Sequence, residues 1–156
     1  MIRDFKKHDI DKVMELWLDT NISAHSFIES EYWKSNYDTV KAIMPSATIY
    51  VYEEDNVIKG FVGLMDDYIA GIFVSQYVQS NGIGKTLLDY AKDKKDVLSL
   101  SVYKENSRAV NFYLREGFTV SNEQVDENTD NLELNMNWTK WAHPHIRTIK
   151  YNTVKF

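Results

Sequence analysis

Two glycines at the start of a helix limit most strongly how this chain can fold and what it can bind. The apolar run Tyr68–Val74 predicts a strand, and residues 79–85 (Gln-Ser-Asn-Gly-Ile-Gly-Lys) lead from it into a helical pattern over residues 82–92. Glycine lacks a Cβ, so the backbone can turn sharply and a ligand can approach it closely. The first N–H groups of a helix have no partner within the helix and lie at its positive end. The segment therefore predicts an anion site suited to a pyrophosphate, unless the glycines only turn the chain from strand to helix.

Two better-known phosphate motifs fail on spacing. Gly84-Lys85-Thr86 matches the end of a P-loop, but that motif needs a glycine five residues before Gly84, where this chain has Gln79. A dinucleotide fingerprint needs a third glycine at position 87, which is leucine. What remains is a cradle of backbone N–H groups, to which Lys85 and the hydroxyls of Ser80 and Thr86 can add donors.

The remaining periodicity predicts one α/β (α+β) domain. Strand patterns and amphipathic helices follow in the order β-α-α-β-β-β-α-β-α-β-β, which favours a mixed central sheet of about 6–7 strands flanked by about 4 helices. Asp9 is expected to cap the first helix, whose apolar stripe begins at Ile10, and Pro45 to end the second. The predicted strands are residues 1–5, 48–53, 57–64, 68–74, 97–103, 118–124 and 132–138, and the other helices are residues 31–44, 82–92 and 109–115.

The composition excludes several classes of protein. A length of 156 residues with 44% apolar residues suits one domain. The absence of cysteine excludes disulfides, thiolate metal sites and cysteine nucleophiles. No apolar run approaches the ~20 residues of a membrane span, and the N-terminus carries charges where a signal peptide is apolar. We therefore expect a soluble, cytoplasmic protein with no membrane partner.

Charge is distributed unevenly along the chain. The net charge is −5, yet residues 139–156 contain four basic side chains and no acidic one. An acidic body argues against nucleic acid as a partner, because such binding depends on neutralising phosphates. It suits a cationic acceptor such as an amine, although a solvated acidic surface explains the same charge. Residues 139–156 form a separate basic extension that could add a strand, support a homodimer or remain disordered; His143 and His145 within it are too few for a metal site, so no metal is expected.

A second motif downstream gives the glycine segment its context. Gln79-x-x-Gly82-x-Gly84 resembles the first signature of the GNAT N-acetyltransferases, and Asn106-x-x-Ala109-x-x-x-Tyr113 with Gly117-Phe118 resembles the second. The element order is similar to that family over residues 1–138, so the resemblance implies the GNAT fold and acetyl-CoA as cofactor. A closer likeness is to the small bacterial YiaC-like group, which implies transfer of acetyl to lysines of other proteins.

The resemblance also implies roles for individual residues. The backbone of Ile72, Phe73 and Val74 would pair with the pantetheine arm. Asn106 would hydrogen-bond that arm, Ala109 would leave room for it, and Tyr113 would stand near the thioester sulfur. Many relatives carry arginines where this chain has serine and asparagine at 80 and 81, so backbone N–H groups would carry more of the phosphate binding. The pyrophosphate residues would be Gln79, Ser80, Asn81, Gly82, Ile83, Gly84, Lys85 and Thr86.

The chemistry needs a neutral amine and a proton for the departing thiolate. Tyr113 is the candidate general acid, although a core aromatic on an amphipathic helix would look the same. No carboxylate lies within Tyr68–Val74, where many relatives carry their base. Asp66 or Asp67 acting through water, His25, or deprotonation in solvent before binding all stay open.

The acceptor side rests on the family likeness alone. Aromatic side chains there could enclose a lysine stem, while core packing explains about half of them equally well. The acceptor would be a primary amine on a protein, a peptide or a small molecule, bound by a monomer or a homodimer. The alternative from another class is a non-catalytic module that senses acyl-CoA or holds a partner. The expected acceptor residues are Trp17, His25, Phe27, Tyr32, Trp33 and Tyr68.

Overall fold

A seven-stranded mixed sheet with four helices forms the protein, as a computed structural model describes it for residues 1–79, 81–141 and 156. This confirms the expected fold class and element order. Short 3₁₀ turns at Lys7–Asp9 and Met44–Ser46 precede and follow the first two helices. The elements are β1 (Ile2–Asp4), α1 (Ile10–Ala24), α2 (Ser30–Ile43), β2 (Thr48–Glu54), β3 (Val57–Met65), β4 (Tyr68–Val74), α3 (Ile83–Lys94), β5 (Val97–Tyr103), α4 (Ser107–Arg115), β6 (Thr119–Asp126) and β7 (Asn131–Thr139).

The sheet opens between its two central strands. Its order is β1-β2-β3-β4-β5-β7-β6, and only the β4–β5 pair is parallel. That pair joins just Tyr68 to Ser99 and Ile69 to Leu100. The β3–β4 register shifts after Gly63, and such a bulge bends the strand that carries the extra residue. Beyond Ile69, the described part of β4 therefore has an edge with no ladder partner on its β5 side.

Two apolar cores cover the two faces of the sheet. On one face α1 and α2 bury a cluster that includes Met14, Trp17 and Trp33 against β2, β3 and β4. On the other face α3 buries Leu87 and Leu88 against β3, β4 and β5, and α4 adds Tyr113. The stripe of apolar residues on each helix matches its 3.6-residue period, because only that side meets the sheet.

The capping predictions are partly wrong. Asp9 precedes α1 as expected, but its carboxylate makes no capping bond to that helix. It accepts hydrogen bonds from two guanidinium nitrogens of Arg3, at 2.8 and 3.0 Å, and from the Lys6 N–H at 2.7 Å. The Arg3 hydrogen bonds hold the pKa of Asp9 below its usual value. Helix α4 begins two residues earlier than predicted, because Asn106 Oδ1 caps it by accepting from the Ala109 N–H at 3.3 Å.

The basic extension is described only at its two ends. The last strand includes Thr139, and His143 and His145 lie outside the described residues. Phe156 is 5% exposed and packs over Gly63, where a Cβ would come 2.7 Å from its ring. The division of the chain at residue 139 stays a prediction. Within the described ranges, the helices are all too short or too polar to cross a membrane.

Candidate active site

A cleft of about 790 Å³ lies where β4 loses its partner. The end of α1, the start of α3 and the length of α4 form its other walls. Most residues expected to bind the cofactor are brought together here, although they come from three separate segments of the chain. Those that line the cleft are Ile72, Phe73, Val74, Gln79, Gly82, Ile83, Gly84, Lys85, Asn106, Ala109 and Tyr113.

The glycine segment forms the start of α3. Gly82 has a φ of +78° and precedes the first helical residue, a conformation that favours glycine. A Cβ at Gly82 would meet nothing within 4 Å, so the backbone turn itself, rather than crowding, requires glycine there. Thr86 does not line the cleft, because its hydroxyl donates to the Gly82 carbonyl at 2.9 Å. Asn81 lies outside the lining as well, and Ser80 lies outside the described residues.

The cations of the cleft differ from those expected. Lys85 Nζ lies 3.1 Å from Glu116 and 3.2 Å from Asp89, so a phosphate would compete with two carboxylates for it. The Glu116 and Asp89 hydrogen bonds raise the pKa of Lys85. Arg108 and Arg115 of α4 also line the cleft, and sequence reasoning missed both. The sequence could have indicated both arginines as cleft residues, since both lie in the segment that carries the second family signature.

Gln79 connects the end of β4 to α4. Its Nε2 donates to the Val74 carbonyl at 3.0 Å, and its Oε1 accepts from Arg108 at 2.7 Å. The side chain therefore holds the glycine segment against β4 and brings Arg108 towards the cradle. Gln79 lines the cleft, and its place in a pyrophosphate site stays a prediction.

Tyr113 lies on α4, in the apolar core beneath that helix, and also lines the cleft. It is 8% exposed, and its ring packs edge-on against Phe112 and Phe118. Burial, and secondarily the Tyr68 phenol, raise the pKa of Tyr113. The phenol therefore stays protonated and able to donate a hydrogen bond. The ring belongs to the core and the same side chain lines the cleft, so the catalytic role of Tyr113 stays a prediction.

A hydrogen-bonded chain crosses the cleft from α4 to α1. Because Asn106 Oδ1 accepts from Ala109, its Nδ2 faces His25 Nε2 at 3.3 Å and donates to it. His25 Nδ1 then donates to the Asn21 carbonyl at 2.9 Å, which corresponds to a neutral imidazole. His25 is 9% exposed and is oriented by contacts on both of its ring nitrogens.

Of the expected acceptor residues, only His25 lines the cleft. Its ring stacks on Trp33 at 5.1 Å and meets Phe27 and Tyr103 edge-on at 5.7 and 5.3 Å. Trp17 is 1% exposed and packs behind Trp33, so it is a core residue in this structure. Tyr103 was missed, because as the last residue of a strand it gave no sign of meeting α1.

The remaining expected acceptor residues are Tyr68 and Tyr32. Tyr68 is 4% exposed at the start of β4, and Tyr32 packs edge-on against Trp33 at 4.9 Å. Neither lines the cleft. A role for them in acceptor contact stays a prediction.

The two candidate carboxylate bases lie away from the cleft. Asp66 has a φ of 53° in the turn between β3 and β4, and Asp67 lies 3.6 Å from Lys95. Neither lines the cleft, which begins on β4 at Ile72. The described residues contain no cluster of His, Asp and Glu that could hold a metal ion.

Comparisons with known proteins identify the family and the fold. The model of the GNAT acetyltransferase domain matches residues 18–139. YiaC of Escherichia coli, a peptidyl-lysine N-acetyltransferase, is 35% identical over 122 residues, covering 77% of this chain and 84% of YiaC. The solution structure of apo YjaB from Escherichia coli is similar at a TM-score of 0.78 and 26% identity, covering 88% of this chain and 95% of YjaB.

A more distant structure shows the same fold. YncA of Salmonella typhimurium, solved with its cofactor acetyl-CoA, is similar at a TM-score of 0.65 and 17% identity, covering 96% of this chain and 98% of YncA. The resemblance to the GNAT family and to its YiaC-like group is confirmed. The chain belongs to the GNAT acetyltransferase family and is an N-acetyltransferase whose acyl donor is acetyl-CoA.

Proposed function

We propose that this acetyltransferase acetylates the ε-amine of lysine in proteins or peptides, with Tyr113 donating a hydrogen bond to the departing sulfur. The observation that carries the proposal is a single cleft that joins an unpaired strand edge, a helix N-terminus and a buried phenol. The name of YiaC, peptidyl-lysine N-acetyltransferase, supports lysine as the acceptor.

The residues of the cleft fit coenzyme A along its length. Backbone N–H groups at the start of α3 suit the pyrophosphate, with Arg108 and Arg115 supplying positive charge nearby. The free edge at Ile72, Phe73 and Val74 can pair with the amides of the pantetheine arm as an added strand would. A volume of about 790 Å³ lies within the roughly 300–1,000 Å³ of small-molecule sites.

Tyr113 suits a hydrogen-bonding role better than early proton transfer. Its raised pKa keeps the phenol protonated, so a donor is always present. The same shift makes transfer to a thiolate, whose pKa is near ~8.5 in a free cysteine, unfavourable. We therefore assign Tyr113 the stabilisation of negative charge on the sulfur by a hydrogen bond. The thiolate then takes its proton from solvent, into which the amine nitrogen releases one.

The amine must lose its proton before it attacks. A lysine amine with a pKa of ~10.4 costs about 4–5 kcal/mol to deprotonate at pH 7. His25 is the titratable side chain that lines the cleft at the end of α1, but Asn106 donates to its Nε2. We assign His25 the orientation of Asn106 and of the aromatic wall, and we assign deprotonation to solvent.

The test is acetyl transfer to defined amines. Thiol release from acetyl-CoA is followed with a lysine peptide whose N-terminus is blocked, with the same peptide carrying arginine for lysine, and with spermidine. Mass spectrometry then locates the acetyl group. We expect release with the lysine peptide and none with the arginine control.

Other outcomes contradict parts of the proposal. Release only with spermidine would make the acceptor a small molecule. A thermal shift with acetyl-CoA but no release with any amine would favour a non-catalytic acyl-CoA sensor. No shift at saturating acetyl-CoA would contradict the assignment of the cleft. The absence of nucleic-acid binding and a monomer or homodimer stay predictions that the same preparation can test.

A further inference from the structure

Asn21, in the wall of the cleft, has a buried side-chain nitrogen, Nδ2, with no hydrogen-bond partner among the described residues. It lies on α1, is 3% exposed and lines the cleft together with Ile72, Phe73 and Val74. A buried amide without partners costs free energy and is rare in folded proteins, so it calls for an explanation.

The neighbours of Asn21 on the same helix turn are satisfied. The hydroxyl of Thr20 donates to the Leu16 carbonyl at 2.6 Å. The backbone carbonyl of Asn21 accepts from His25 Nδ1 at 2.9 Å and from the His25 N–H at 3.1 Å. Trp17 Nε1, one turn earlier on α1, and Trp33 Nε1 also lack a partner, but neither residue lines the cleft. Among the described residues with an unpartnered buried side-chain atom, Asn21 is the one that lines the cleft.

The position of Asn21 places it at the acyl end of the cleft. The nucleotide end is marked by the glycine segment and Lys85 at the start of α3. Glu116, which follows α4, contacts Lys85 there. Asn21 lies instead beside His25, which contacts Asn106 and the aromatic wall where an acceptor would enter. An arm that runs along β4 from Val74 to Ile72 would end its acyl group at that side.

We infer that Asn21 donates a hydrogen bond to the carbonyl oxygen of the acyl group being transferred, an inference that rests on the proposed function. When the amine nitrogen attacks the carbonyl carbon, the C=O π electrons move to that oxygen, and the C–S bond then breaks as they return. An N–H donor set in advance stabilises the charge on oxygen at the moment it develops. To present Nδ2, the amide turns about Cβ–Cγ, which no hydrogen bond to its side chain opposes within the described residues.

The test uses Asn21→Leu, which keeps the volume and removes the donor. The matched control is Asn122→Leu, the same substitution at an exposed position of β6 outside the cleft lining. We expect Asn21→Leu to lower single-turnover kcat with the lysine peptide by about 10²-fold, as loss of one such donor does elsewhere. Its melting temperature should equal or exceed that of the unchanged protein, because an unsatisfied amide has been removed. A purely structural Asn21 would instead lower the melting temperature and leave kcat unchanged.

A second measurement, the affinities for acetyl-CoA and for CoA, needs no acceptor amine. The ratio of acetyl-CoA to CoA affinity should fall about 2–10-fold in Asn21→Leu, since only the acetylated form offers the carbonyl and a net hydrogen bond is worth this much. An unchanged ratio together with kcat within threefold would overturn the inference, and a buried water would then account for the amide. If the lysine peptide is not acetylated but the ratio falls, the proposed acceptor is wrong and the role of Asn21 stands.

Discussion

Replacing Tyr113 by phenylalanine removes one oxygen atom from the cleft and leaves the packing of α4 in place. The ring contacts to Phe112 at 5.2 Å and Phe118 at 5.4 Å do not involve the hydroxyl. A hydrogen bond to a charged partner contributes about 1.5–3 kcal/mol. Since about 1.36 kcal/mol corresponds to a tenfold change in rate, we expect kcat to fall roughly 10–150-fold.

The assay for Tyr113→Phe is single-turnover thiol release, so that product release does not hide the chemical step. Coenzyme A affinity, measured by calorimetry, should stay within about twofold, because the phenol acts on the sulfur during departure and not on the nucleotide. Tyr90→Phe is the matched control, since Tyr90 lies on α3 and packs against Tyr50 at 4.8 Å away from the cleft lining.

The pH dependence of turnover distinguishes a Tyr113 phenol with a raised pKa from an ordinary tyrosine. The raised pKa of Tyr113 means that the phenol keeps its proton through pH 10, where an ordinary tyrosine begins to ionise. Turnover of the unchanged protein should therefore rise with pH towards the pKa of the amine without a falling limb near 10. A kcat for Tyr113→Phe within threefold of the unchanged value would refute the role of the hydroxyl.

Three further perturbations probe the cleft and the fold. Glu116→Gln should tighten coenzyme A binding by about 2–5-fold, because it removes one of the two carboxylates that pair with Lys85; weaker binding by calorimetry would contradict this. His25→Gln should lower turnover yet keep the shape of the pH profile, since both ring nitrogens are engaged; a lost ascending limb would identify a base. Asp9→Asn should cost about 2–3 kcal/mol in urea unfolding at pH 7. Because the Arg3 hydrogen bonds lower the pKa of Asp9, its contribution is present above the unfolded value of about 3.9 and is lost as pH falls below it; an unchanged difference at pH 2 would contradict this account.

The cleft combines fixed backbone donors with side chains already committed to other partners. Lys85 is paired with Glu116, and Arg108 with the Gln79 amide. Binding of the donor must therefore exchange some of these contacts for phosphate contacts. This exchange favours moderate affinity and ready release of coenzyme A after transfer.

Much of the fold followed from local patterns. The strands Tyr68–Val74 and Val97–Tyr103 were predicted to the residue, because apolar periodicity depends on neighbours along the chain. The start of α1 after Asp9 was predicted correctly, but the role of the Asp9 side chain was not, because its carboxylate accepts from Arg3 instead of capping the helix. The glycine segment was also predictable, since a positive φ and an exposed helix start are properties of a few consecutive residues.

The sequence by itself determined the order of elements, the glycine turn before α3 and the family likeness that implies acetyl-CoA. What only the tertiary structure decided was which side chains reach the cleft. Helix α1 and its C-cap carry Trp17, Asn21 and His25. Trp17 is buried in the core, yet the other two line the cleft. The reason is physical: these roles depend on where α1 ends relative to α4, whose capping Asn106 lies 81 residues away from His25 along the chain. A pattern of neighbouring residues cannot predict a contact between residues so far apart in the sequence. The unsatisfied amide of Asn21 is therefore recognised only in the folded chain.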